Sequence, residues 1–87
     1  MSTWLLGGEL TLASAAARLA EPDIAGEAVR LDLSAVTRVD SAALAVLLAW
    51  LRRAQAAGTS LAIVGAPASL LQLARLYGVD TLLPFVE

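Results

Sequence analysis

Eighty-seven residues form one domain, because single-core domains begin near about 50 residues and rarely divide below about 150. Hydrophobic residues make up 59% of the chain and mean hydropathy is +0.75, which excludes intrinsic disorder and leaves a small domain with more apolar surface than it can bury alone. Six arginines, no lysine and eight acids give a net charge of −2 with no basic stripe, which argues against nucleic-acid binding; absent cysteine and histidine remove disulfides, thiol catalysis, thiolate or imidazole metal sites and histidine triads.

The first segment, Thr3 to Leu12, has two apolar runs hinged at Gly7-Gly8 and reads as a short hairpin or a bent strand. The amino terminus, Met1 to Glu9, carries neither a basic region nor a long apolar stretch, so no signal peptide is expected. Ser14 stands where it can cap an alanine-rich helix to Ala20, stopped by Pro22, with Leu12, Ala15, Ala16 and Leu19 facing inward. Ala28 to Leu33 alternates cleanly and predicts a central strand, followed by a turn from Ser34 to Val39.

Asp40 is a favoured N-cap, with Val39 and Leu44 at the spacing of a hydrophobic staple, and Gly58 ends the helix that runs to Ala57. Ser60 to Val64 is a near-continuous apolar run, the pattern of a strand covered on both faces. Pro67 opens a third helix, with Leu70, Leu71, Ala74 and Tyr77 at helical spacing, and Gly78 closes it with Val79 packing back. The tail Leu82 to Val86 reads as an edge strand containing Pro84. The expected fold is α/β: one domain over residues 1–87, with a mixed, mostly parallel sheet of four to five strands and three helices.

The segment from Leu31 to Leu44 ends a strand and opens a helix, where α/β folds place their sites. Ser41 follows the cap directly, either as a small residue tolerated in the first turn or as a hydroxyl displayed beside orphan amides. On a helical wheel Leu44, Leu47, Leu48 and Leu51 form the core stripe, while Ala42, Val46, Ala49, Trp50 and Arg53 point away with a single charge among them. Trp50 therefore folds over a neighbouring element or anchors a partner, since Trp and Arg are both enriched at interface hot spots. Arg52-Arg53 complement the helix dipole rather than forming a lipid site. No catalytic pair, metal set or cofactor motif is present, because Gly7-Gly8-Glu9 lacks the lysine of a phosphate loop and Asp32, Asp40 and Asp80 stand apart. The longest uncharged apolar run, Ala42 to Leu51, is ten residues, half of the roughly 20 that a membrane span needs.

Taken in order, Gly8-Glu9-Leu10-Thr11, Leu31-Asp32-Leu33-Ser34, Val39-Asp40-Ser41-Ala42-Ala43-Leu44 and Tyr77-Gly78-Val79-Asp80-Thr81-Leu82-Leu83 resemble the STAS domain, shared by anti-sigma-factor antagonists and sulfate-transporter tails. The nearest subtype in this pattern is the small STAS subunit of Mla-type phospholipid ABC transporters. That resemblance implies a non-enzymatic, cytoplasmic adapter, peripheral to the inner membrane, that binds and stabilises or activates the transporter's ATPase subunit. Asp40, Ser41, Ala42, Val46, Ala49, Trp50 and Arg53 are then the partner-facing residues. The sigma-regulating branch implies instead that Ser41 is phosphorylated by a partner kinase. Ala43 stands where many relatives have Gly, and Ser41 where the transporter branch often has Thr.

Overall fold

A computed structural model describes residues 2–86, so the single-domain expectation for residues 1–87 reaches one residue beyond it at each end. The chain runs β1 (Ser2–Leu10), α1 (Ala15–Leu19), β2 (Ala28–Val39), α2 (Ser41–Ala57), β3 (Ser60–Val64), α3 (Ala68–Leu76) and β4 (Phe85–Val86). The strands form one sheet in the order β1-β2-β3-β4, and every pairing is parallel. Each crossover steps to the next strand in the same direction, so right-handed connections stack all three helices on one face. α2 lies in the middle of that layer, touching α1 and α3 at its sides and β1 and β3 beneath.

The bent strand, not the hairpin, is what the first segment forms. β1 stays in parallel register with β2 through two irregularities, at Leu5/Gly7 and Gly8/Glu9, and Gly8 takes the positive φ of 73° that the second requires. β2 continues through Val39 instead of turning at Ser34, because its second half pairs with Gly7 to Leu10 of β1. Long-range pairing overrides the polar composition of Ser34, Thr37 and Arg38.

Glycines close the two longer helices in the same way. At Gly58 the backbone is left-handed, Thr59 N–H bonds to Ala54 O at 2.8 Å and Gly58 N–H to Gln55 O at 3.2 Å. At Gly78, Val79 N–H bonds to Ala74 O at 2.9 Å and Gly78 N–H to Arg75 O at 3.1 Å, with Val79 packed on the core. Both are Schellman closures. In α3 only Leu70 and Ala74 of the expected stripe are buried, and Tyr77 is exposed.

α1 departs from expectation more sharply. It is five residues long, buries none of them, and leaves Leu12, Ala16 and Leu19 exposed, with Ala15 alone packed against the core. Ser14 occupies the cap position without capping an amide; its hydroxyl donates to Glu9 O at 2.9 Å. Polar bonds fix the segment instead. Arg18 Nε donates to Glu9 O at 3.1 Å, and its guanidinium also reaches Gly7 O.

The core stripe of α2 is rotated from the one expected. Ala43, Val46, Leu47, Trp50 and Ala54 are buried with Leu44, while Leu48 and Leu51 are only half-buried. Trp50 is 0% exposed, and its Nε1–H donates to Leu19 O at 3.3 Å. The outward placement of Val46 and Trp50 is therefore corrected: the end of α1 and the following loop cover that side. Arg53 does not serve the dipole of its own helix. It donates to Leu19 O and Pro22 O, both at 2.8 Å, tying the loop down over Trp50.

The β3–α3 turn packs closely on β2. Gly65, at φ 68°, leaves no room for a Cβ, which would stand 3.0 Å from Ser34 Cβ and 3.1 Å from Asp32 Oδ1. Asp32 Oδ1 accepts the Ser34 amide at 2.9 Å. The Ser34 side chain and amide hold the Asp32 carboxyl below its ordinary value against the opposing effect of desolvation, with a lesser contribution from Arg30.

Because Trp50 fills the junction of α2, α1 and the loop to Pro22, Trp50→Ala should cost about 3–5 kcal/mol of stability in urea unfolding. A cost below about 1 kcal/mol would mean that this side of α2 is not packed as described.

Candidate docking site

The site is built where β1 and β2 end side by side. Asp40 N–H donates to Leu10 O at 3.3 Å, which carries the pairing of the two strands one step past β2. Its carboxylate then divides between two segments: Oδ1 accepts from Ala42 N–H at 2.8 Å as the N-cap of α2, and Oδ2 accepts from Leu12 N–H at 3.0 Å in the loop leaving β1. Negative charge at a helix N-terminus is favourable in itself, so one side chain caps the helix and fixes the neighbouring loop.

That loop is ordered from within. Ser14 N–H bonds to Thr11 O at 3.0 Å, and Thr11 N–H bonds back to Ser14 Oγ at 3.0 Å. Leu12 is consequently held 80% exposed beside the start of α2. A shallow open groove of about 520 Å³ runs between Glu9, Leu12, Arg38 and Asp40. Glu9 and Arg38 face each other across it at 3.8 Å, a surface ion pair of small energetic weight.

Of the residues expected to face a partner, Asp40, Ser41 and Ala42 are brought together here. Ser41 is exposed at the first position of a 17-residue helix, while Asp40 and Ala42 are half-buried. Ala49 is half-buried two turns along. Val46 and Trp50 are in the core, and Arg53, though exposed, spends its guanidinium on backbone carbonyls. The open surface of α2 is instead the strip through Ser41, Ala45, Leu48, Ala49 and Arg52. Its uncharged stretch is four residues of small or apolar side chain ending at one arginine. Ala45, Leu48 and Arg52 were not expected there, since the leucine stripe of the isolated helix points Leu48 to the core. Leu12, which the helical spacing predicts to face inward, is exposed instead, because its amide is bound by Asp40, 28 residues along the chain.

A family model described as "Mlab, STAS domain" matches residues 5–84. This chain belongs to the MlaB-type STAS family. A similar solved structure, a sulfate transporter family protein from Wolinella succinogenes, superposes with a TM-score of 0.76 at 16% identity, covering 97% of this chain and 74% of that one. At that identity it supports the fold alone. No curated protein matches the sequence. STAS domains are interaction modules of transporters and are generally non-enzymatic. Among the described residues no helix is long and apolar enough to cross a membrane, and no cluster of three acids could hold a metal ion.

If Asp40 joins the STAS domain's β1–α1 loop to α2, Asp40→Ala should destabilise the protein by about 1–2 kcal/mol and Asp40→Asn by less, since the amide oxygen still caps. Amide hydrogen exchange should show Leu12 and Ala42 losing protection together in Asp40→Ala; loss at Ala42 alone would place the loop elsewhere.

Proposed function

We propose that this STAS domain is a non-enzymatic adapter that binds the cytoplasmic ATPase subunit of a phospholipid ABC transporter and stabilises or activates it. The contact is made by the start of α2 and the strip that follows. The observation that carries this reading is the partly open strip of α2, with Ser41 and Ala45 exposed and Leu48 and Ala49 half-buried, uncharged until Arg52, on a chain whose family is MlaB-type. Small side chains let another helix approach closely, Leu48 supplies the apolar contact, and Arg52 suits the polar rim of an interface. Leu12, held beside Ser41 by Asp40, extends the same surface. Trp50 acts from behind, fixing the rotation of α2 rather than touching the partner.

A second reading is supported by the exposure of Ser41 at the first position of α2: an anti-sigma-factor antagonist switched by phosphorylation there. The helix N-terminus favours a phosphate, but Asp40 already occupies the Ala42 amide, so an added phosphate competes with the cap. Its effect would be to loosen the first turn as well as to charge the surface.

Co-expression with the ATPase subunit separates these readings. Ala45→Arg and Ser41→Glu should each abolish co-purification, while Trp50→Phe, which keeps the core filled, should retain it. Unchanged recovery of the ATPase with Ala45→Arg would place the interface elsewhere. Gain of one phosphate at Ser41 on incubation with a cognate kinase and ATP would favour the second reading.

A further inference from the structure

The three helices lie on one face of the sheet, and among the described residues no helix covers the other face. Parallel sheets are ordinarily covered on both sides. β3 has the sequence of a strand buried on both faces, yet Leu61 and Ile63 alone are buried while Ala62 and Val64, pointing away from the helices, are half-buried. In β1 the same alternation buries Leu6 and Leu10 and leaves Leu5 65% exposed; in β4 it leaves Val86 51% exposed. Register aligns these residues into one row, Leu5 beside Asp32 beside Val64 beside Val86. The adjacent row is Thr3, Arg30 and Ala62.

We propose that this open sheet face is the interface of a two-fold homodimer, packed sheet on sheet, in which Arg30 of each copy pairs with Asp32 of the other. The occupant follows from the charges. Arg30 and Asp32 are two residues apart on the inner strand β2 and share the outer face, so a two-fold axis between them lays each onto its opposite in the partner. A face with one positive and one negative group at its centre is complementary to itself. Among the described residues Arg30 forms no ion pair within its own chain.

The surroundings suit that contact. Leu5 and Val64 flank Asp32 in register, so an incoming Arg30 lays its aliphatic stem between them while its guanidinium meets the carboxylate. Asp32 is held in position and ionised by Ser34. Farther along, Gly7 and Ala35 lie side by side, a Cβ on the glycine standing 3.6 Å from Ala35 Cβ, and add no bulk to hold two sheets apart. The face is small. Four strands at about 4.8 Å spacing make an interface at the low end of the specific range, so a weak, concentration-dependent dimer is expected. The surface lies on the side of the sheet opposite α2, so the inference extends beyond the adapter reading and does not depend on it.

Sedimentation of the full chain from about 5 to 500 μM tests the proposal for so weak a dimer. Wild type should move from monomer toward dimer over that range. Arg30→Asp and Asp32→Arg should each weaken the dimer by about ten-fold or more, and the double variant should restore it. Leu5→Glu, which leaves the Asp32–Ser34 link untouched, should weaken it as well, with circular dichroism confirming that each variant is folded. Ala45→Arg, on the helical face, should leave the dimer unchanged. A protein that stays monomeric throughout, single variants that dimerise like wild type, a folded charge-swapped double variant no tighter than its parents, or a dimer lost in Ala45→Arg would overturn the proposal.

Discussion

A single layer of three helices is all that the connections of this chain provide for a four-stranded parallel sheet, and the rest of the structure follows from that shortage. With every crossover running the same way, α2 becomes the centre of the layer and must be apolar over far more of its circumference than a surface helix. It buries Leu44 and Leu47 toward the sheet and Val46 and Trp50 toward α1. What remains outside is a narrow strip. Part of the apolar excess of the composition thus comes from a helix hemmed in on three sides, and the same shortage leaves the second face of the sheet uncovered.

α1 is too short to hold itself in that layer by burial. Two side chains of α2 hold it through its carbonyls: Trp50 and Arg53 both donate to Leu19 O, and Arg53 also to Pro22 O. Carbonyls at a helix end lack intrahelical partners, so a guanidinium there satisfies groups that would otherwise face water or go unpaired. Asp40 does the complementary work at the other end of α2, with carboxylate oxygens accepting amides from its own helix and from the β1–α1 loop. One helix therefore clamps the β1-to-β2 connection at both ends, by a cation on carbonyls and an anion on amides. The position of Ser41 and Leu12 at the candidate site is a product of that clamp.

Features set by a few adjacent residues were readable in the sequence. Asp40 and Gly58 mark α2 and Gly78 and Val79 mark the end of α3 because their bonds are local, while the strands Ala28 to Leu33 and Ser60 to Val64 show which faces are buried through their alternation or apolar run. The second half of β2 was not readable, since nothing in Ser34-Ala35-Val36-Thr37-Arg38 announces a strand until β1 lies alongside. The rotation of α2 was hidden for a related reason. Its four leucines define a tidy stripe in isolation, but the side chain that decides the rotation is Trp50, whose partner is a backbone carbonyl 31 residues away. At the site, Asp40 and Ser41 were legible as a cap and its neighbour; Ala45 and Leu48 became visible only once that rotation was fixed.

The two surfaces left by this architecture are joined by the same strand. β2 carries Arg30 and Asp32 at the centre of the open sheet face and runs directly into Asp40 at the foot of α2. It is paired with β1 along most of its length, and Val29 to Asp32 are paired on both sides. A strand held in that way has one arrangement, whereas coupling between distant sites needs an element with two. Occupying the sheet face is therefore expected to leave the geometry of the Asp40–Ser41 turn unchanged, so that the two surfaces bind independently. Two copies joined through their sheets present two α2 strips facing outward on opposite sides, so any gain for a partner that carries two binding sites comes from valency and its effective concentration rather than from a change of shape.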